Sequence, residues 1–243
     1  MLHSTTTNNA QDIDPKVQLV LWHLTDSALP TGSFAHSQGL EIYMQRDIVH
    51  NGPTYTDWLI GFIHQSAYTE GLVARYAAEI ARGEATEITT VTELDTLTYA
   101  VQIPRQVRDA QTAMGKRTAK VAAIALPESH YVHEYLAGIN EGRYHGNPAI
   151  VFGLGLGEAG MDVRTAVRAF LMQLATSITQ NAIRGIPLGQ DAGQQALVNA
   201  YPAINKATDT VMRLTAEEFG CTAPGLELAQ MQHEALHARM FMS

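Results

Sequence analysis

The residues with the most chemical potential lie near the end of the chain, where His233-Glu234-Ala235-Leu236-His237 spells H-E-x-x-H. On a helix this spacing sets two imidazoles one turn apart, with a glutamate placed to activate a metal-bound water. A hydrolase built this way needs a third ligand. Ala238 to Ser243 contains no Glu, Asp or His, so that ligand would have to come from upstream. A second motif, Gly155-x-Gly157-x-x-Gly160, has the spacing of a dinucleotide-binding turn and follows the apolar run Ala149 to Phe152. It lacks the acidic residue roughly 20 positions on that would hold a ribose. Its plainer reading is a helix contact where glycines allow close approach. A third, Ala35-His36-Ser37-Gln38-Gly39, is one residue from the G-x-S-x-G nucleophile elbow. It is preceded by the turn-forming Leu29-Pro30-Thr31-Gly32-Ser33 rather than by a strand. His130, His133 and Glu134 could also be read as a metal pair, while His3, His23, His36, His50, His64 and His145 are scattered.

The elements that would have to position these residues read as helices. After Asn51-Gly52-Pro53, Thr54 and Asp57 stand at capping-box spacing, and Tyr55, Trp58, Leu59, Phe62 and Ile63 share one face. Ile88 to Val101 and Val107 to Ile124 repeat every three to four residues on either side of Pro104. Val163, Ala166, Val167, Phe170, Leu171, Leu174 and Ile178 form the cleanest stripe, with Arg164 and Arg168 off that face. A further helix should start at Asp191 and be kinked or broken at Pro202, and the last should start near Pro224. The one strand candidate is Ala149 to Phe152. The expectation is an all-α, single-domain bundle of roughly eight to ten helices over 15–243, behind a flexible polar tail, 1–14.

Composition narrows the partners. The chain has 243 residues, 46% apolar and 16% charged, with a net charge of −8, which does not favour nucleic acid or anionic lipid. The single Cys221 excludes an internal disulfide and fits a reducing compartment, so the cytoplasm is expected. No stretch reaches the roughly 20 apolar residues of a membrane span.

The segment Leu24-Thr25-Asp26-Ser27-Ala28-Leu29-Pro30-Thr31-Gly32-Ser33-Phe34-Ala35-His36-Ser37-Gln38-Gly39-Leu40-Glu41 resembles the signature of the UreF family of urease accessory proteins. Three more stretches agree in order: Met114-Gly115, Arg184 to Gln190, and Met231 to Glu234 continuing through Arg239-Met240-Phe241-Met242-Ser243. The resemblance implies a mostly helical, dimeric, non-enzymatic protein. Such a protein would act with UreD (also called UreH) and the GTPase UreG to load nickel into apo-urease, with a role in controlling GTP hydrolysis by UreG. It also implies that His233 and Glu234 belong to a partner-facing end rather than to a zinc site, and that His237 is outside the motif. No arginine is marked by its spacing as an inserted finger.

The candidate partner-binding residues are Pro30, Gly32, Phe34, His36, Ser37, Glu41, Gln190, His233, Glu234, Arg239, Phe241 and Ser243. Pro30 and Gly32 should fix a turn that exposes Phe34, His36 and Ser37. Met240, Phe241 and Met242 are too apolar for a frayed terminus, and Phe241 and Arg239 are expected to anchor UreD. Cys221 and the histidines offer no closed ligand set, so no tightly bound cofactor is expected. Nickel would be handled by the complex and GTP by UreG.

Overall fold

A computed structural model describes residues 13–220 and 223–243. Among these the protein has eleven α-helices, three short 3-10 turns and no strand. The fold class is therefore all-α, with one helix more than the upper end of the expected count. The helices are α1 (Pro15–Thr25), α2 (Leu40–Gln45), α3 (Gly52–Ser66), α4 (Glu70–Arg82), α5 (Val91–Val101), α6 (Arg105–Ala125), α7 (His130–Glu141), α8 (Pro148–Glu158), α9 (Val163–Gly185), α10 (Gln190–Val211) and α11 (Pro224–Gln232). The 3-10 turns are Ser33–Ala35, Ala216–Glu218 and His233–Ala235. Apart from Ile13 and Asp14, the expected polar tail lies outside the described residues, as do Cys221 and His3.

Helix α8 lies at the centre of the bundle, packed most closely against α4 and also against α6, α7 and α9. It contains the residues read as a strand. Asn147 caps it by accepting from Ala149 N–H at 2.8 Å, and Pro148 follows in the first turn, a pairing that starts helices. Every residue from Ala149 to Gly157 is buried. A helix enclosed on all sides has no polar face, so its sequence shows no 3.6-residue period and passes for a buried strand.

The G-x-G-x-x-G motif thus runs through this helix and just past its end. A Cβ on Gly157 would stand 2.7 Å from Ala78 O, and one on Gly153 would run into Ala74 O and come within 2.6 Å of Ala77 Cβ. Glycine at these two positions, one turn apart, brings the backbones of α4 and α8 together. The loop into α8 is tied down by the buried Asp95, which accepts from Tyr135 OH at 2.5 Å, His145 N–H at 2.7 Å and Gly146 N–H at 3.1 Å.

Elsewhere the periodicity is borne out with shifted ends. Helix α3 starts one turn before the expected capping box: Asn51 is the N-cap and Thr54 is its reciprocal partner, bonded at 3.0 Å. Helix α9 buries Val163, Ala166, Val167, Phe170, Leu171 and Ile178 as the stripe requires. On its other side Arg164 pairs with Asp209 of α10. Arg168 borders a shallow groove, with Ala169, Met172, Tyr201 and Ile204 beside it. Helix α10 begins at Gln190 and passes Pro202 without a break. No helix is long and apolar enough to cross a membrane among the described residues.

Candidate functional site

Three stretches far apart in sequence meet at one corner of the bundle: the turn and short helix over 31–46, the end of α9, and the segment 230–243. Gly32 opens the corner at φ 88°, a left-handed conformation that glycine adopts without a Cβ penalty, and the Ser33–Ala35 turn follows. Asn181 of α9 receives this turn, its Nδ2 donating to Ser33 O at 3.1 Å and His36 O at 2.8 Å. One turn on, Arg184 donates to Asn181 Oδ1 at 2.6 Å and to Phe34 O. Its guanidinium lies over two rings, 5.7 Å from the centroid of Phe34 and 5.4 Å from that of Phe241. Gly185 completes the wall, since a Cβ there would press on Met44, 3.0 Å from its Sδ.

The end of the chain is laid into this corner. Met242 N–H donates to Ala35 O at 2.8 Å, and Ser37 N–H donates to Ser243 O at 2.5 Å. His36 Nδ1 lies 2.8 Å from Ser243 Oγ, and Gln45 donates to Ala238 O at 3.3 Å. The most buried part of the junction is ionisable. Glu41, 3% exposed, accepts from Met240 N–H at 2.6 Å through Oε1 and from Phe241 N–H at 3.1 Å through Oε2. His233, wholly buried, places Nε2 2.9 Å from Glu41 Oε2 and Nδ1 2.8 Å from Gln106 Oε1 of α6. A buried carboxylate is tolerated when its oxygens are filled by N–H donors in this way. Burial, and secondarily the nearby His233, pushes the His36 imidazole below its ordinary value.

This placement corrects several expectations. Phe34 is exposed, but His36 is half-buried and Ser37 is buried, so the three do not form one open patch. Ser37 Oγ accepts from Glu41 N–H, in the first turn of α2, at 3.4 Å. Glu41, His233 and Ser243 are buried inside the chain. Phe241, expected to anchor a partner, is only 4% exposed and belongs to the chain's own packing. Met240 and Met242 on either side of it are 59% and 68% exposed, and Phe34 is 62% exposed. Arg239 is exposed and donates to Glu234 O at 2.6 Å, folding the segment around the last 3-10 turn. Pro30 is exposed, its carbonyl accepting from Arg117 at 2.8 Å, and Gln190 stands exposed at the start of α10.

The H-E-x-x-H reading fails on geometry. Helix α11 ends at Gln232, the 3-10 turn ends at Ala235, and Leu236 is extended. The two histidines therefore do not share a helical face: His233 points inward to Glu41, while His237 is exposed. Glu234 pairs with Arg105 at 3.0 Å. His130 pairs with Glu134 at 3.6 Å and His133 Nε2 lies 3.1 Å from Pro127 O, so they do not converge either. Among the described residues no three His, Cys, Asp or Glu side chains are grouped to hold a metal ion.

Asn181, Arg184, Gly185 and Gln106 were not singled out in the sequence as site residues. Asn181 and Arg184, a polar residue and an arginine one turn apart at the end of α9, were the available signal.

Among the described residues the protein belongs to the class of all-helical bundles, and stretches far apart in sequence come together in it to hold its own C-terminal segment. A family model described as UreF matches residues 49–201. The chain is 41% identical over 227 residues to the urease accessory protein UreF of Arthrobacter sp. (strain FB24), covering 93% of this chain and 97% of that protein. It is 39% identical over 227 residues to the urease accessory protein UreF of Paenarthrobacter aurescens (strain TC1), covering 93% and 98%. The chain belongs to the UreF family, whose members are accessory proteins of urease and not enzymes.

Proposed function

We propose that this protein works by binding: together with UreD (UreH) and the GTPase UreG it forms a complex that loads nickel into apo-urease in the cytoplasm. The chain itself holds no tightly bound cofactor. Nickel is cargo of the complex, GTP is bound by UreG, and the chain modulates hydrolysis there through contact. It acts as a homodimer. The observation that carries the reading is the outward presentation of Met240, Met242 and Phe34 around a buried Phe241. Large apolar side chains on a segment secured by its own hydrogen bonds favour association, because little conformational entropy remains to be lost on binding. UreD is the partner proposed for this surface, with Arg239 at its edge.

Co-purification with the UreD and UreG of the same genome, in GTP and magnesium, followed by nickel-dependent activation of apo-urease, tests the reading. A complex that activates urease, and fails when this chain is omitted, is expected. Absence of association with either partner overturns it.

A further inference from the structure

Glu41 does more than fill a buried space. Its two oxygens accept the N–H groups of consecutive residues, Met240 through Oε1 and Phe241 through Oε2. The chain bends at Met240 and Phe241, and exposure alternates residue by residue from 240 to 243, so a slip of one residue would turn the inward side chains outward. Pinning two successive amides selects one alternative, with Phe241 and Ser243 buried and Met240 and Met242 exposed. The bonds from Met242 N–H to Ala35 O and from Ser37 N–H to Ser243 O fit the same register. Glu41 is in turn fixed by His233, which links it to Gln106 and hence to α6.

We infer that Glu41 sets the register of the C-terminal segment, that His233 is a positioning residue for Glu41, and that both govern partner docking without touching the partner. The docking half of this inference rests on the reading that UreD binds the segment.

A carboxylate presents acceptors to both amides, whereas a glutamine turns one of them into a donor facing a donor. Glu41→Gln should therefore raise hydrogen exchange at the Met240 and Phe241 amides by about tenfold or more, a loss of about 1.4 kcal/mol at that ratio. Amides within α9 should keep their protection. The same variant should weaken UreD binding by a similar factor, mainly through faster dissociation. His233→Ala should act in the same direction. His233→Gln, which keeps an N–H near the Nε2 position, should recover part of the loss.

Replacing Met240 and Met242 together with Ala separates register from docking. That variant should keep both amides protected and still lose UreD. Unchanged exchange in Glu41→Gln overturns the register assignment. Faster exchange with unchanged UreD affinity, when the methionine variant does lose UreD, overturns the positioning role. Wild-type UreD affinity in the methionine variant overturns the docking reading and leaves the register assignment standing. If Glu41→Gln loses protection throughout α9, the same two amides are read in His233→Ala.

Discussion

The guanidinium of Arg184 lies 5.4 Å from the centre of the Phe241 ring, so a residue near the end of α9 covers a residue near the end of the chain. The same side chain covers Phe34 and bonds to its carbonyl, which makes it the link between the two motif stretches.

Replacing Arg184 with Ala removes both ring contacts and the charged hydrogen bonds to Phe34 O and Asn181 Oδ1. Because the residue is exposed, the low end of the usual range applies, and a loss of about 1–2 kcal/mol is expected in urea unfolding. Cleavage by protease after Arg239 should become faster than in the unmodified chain. Arg184→Lys should recover less than half of the stability, since an ammonium lacks the planar face that spans two rings. Full recovery by Lys would show that charge, and not stacking, holds the corner.

How much of this was legible beforehand depended on which neighbours each residue had. The stripe of α9 was readable because one side meets the core and the other carries Arg164 and Arg168. Helix α8 was not, because burial on every side erases the period that distinguishes a helix from a strand. Its Asn147-Pro148 start was a local signal that the apolar run outweighed. Pro202 suggested a kink or a break, and the helix runs through it unbroken while packed against α3 and α9. At the corner, sequence picked out most of the participating stretches but not the direction of their side chains. An apolar Phe241 near a terminus fits a partner's pocket and the chain's own core equally well. Only the fold, by placing Arg184 and Gly185 beneath it, distinguishes the two.

The glycines of α8 and α3 should respond to the same substitution with opposite signs. Gly153→Ala puts a methyl group against Ala74 O and Ala77 Cβ, both parts of α4 that cannot rotate away. Overpacking of this kind costs about 1–3 kcal/mol, enough to outweigh the gain of roughly 1 kcal/mol from better helix propensity. Gly61, on the exposed side of α3, would meet nothing within 4 Å, so Gly61→Ala should stabilise by up to about 1 kcal/mol. Thermal unfolding of the two variants decides the matter, and a stabilised Gly153→Ala would mean that α4 and α8 are not held at this distance.

Acid should loosen the corner through His36. Its folded imidazole titrates below the ordinary 6.5, chiefly because burial disfavours the charged form and then because His233 is close. The unfolded chain therefore binds more protons than the folded one as pH falls through 6.5. The stabilisation is fully present above that value and is lost between it and the lower folded value. The charged and titratable groups at the same corner include His233, Glu41 and Arg184, with Arg46, Glu234, His237 and Arg239 in the same segments, and His64 on α3 is also depressed by burial, so the wild-type profile contains more than one contribution. Comparison with His36→Asn isolates the one of interest, because Asn keeps a polar atom near Nδ1 and does not titrate. Across pH 7.5 to 5 the wild type should lose more thermal stability than the variant, and exchange at the Met242 amide should rise only in the wild type. Parallel profiles for the two proteins would remove His36 from the account of how the C-terminal segment is held.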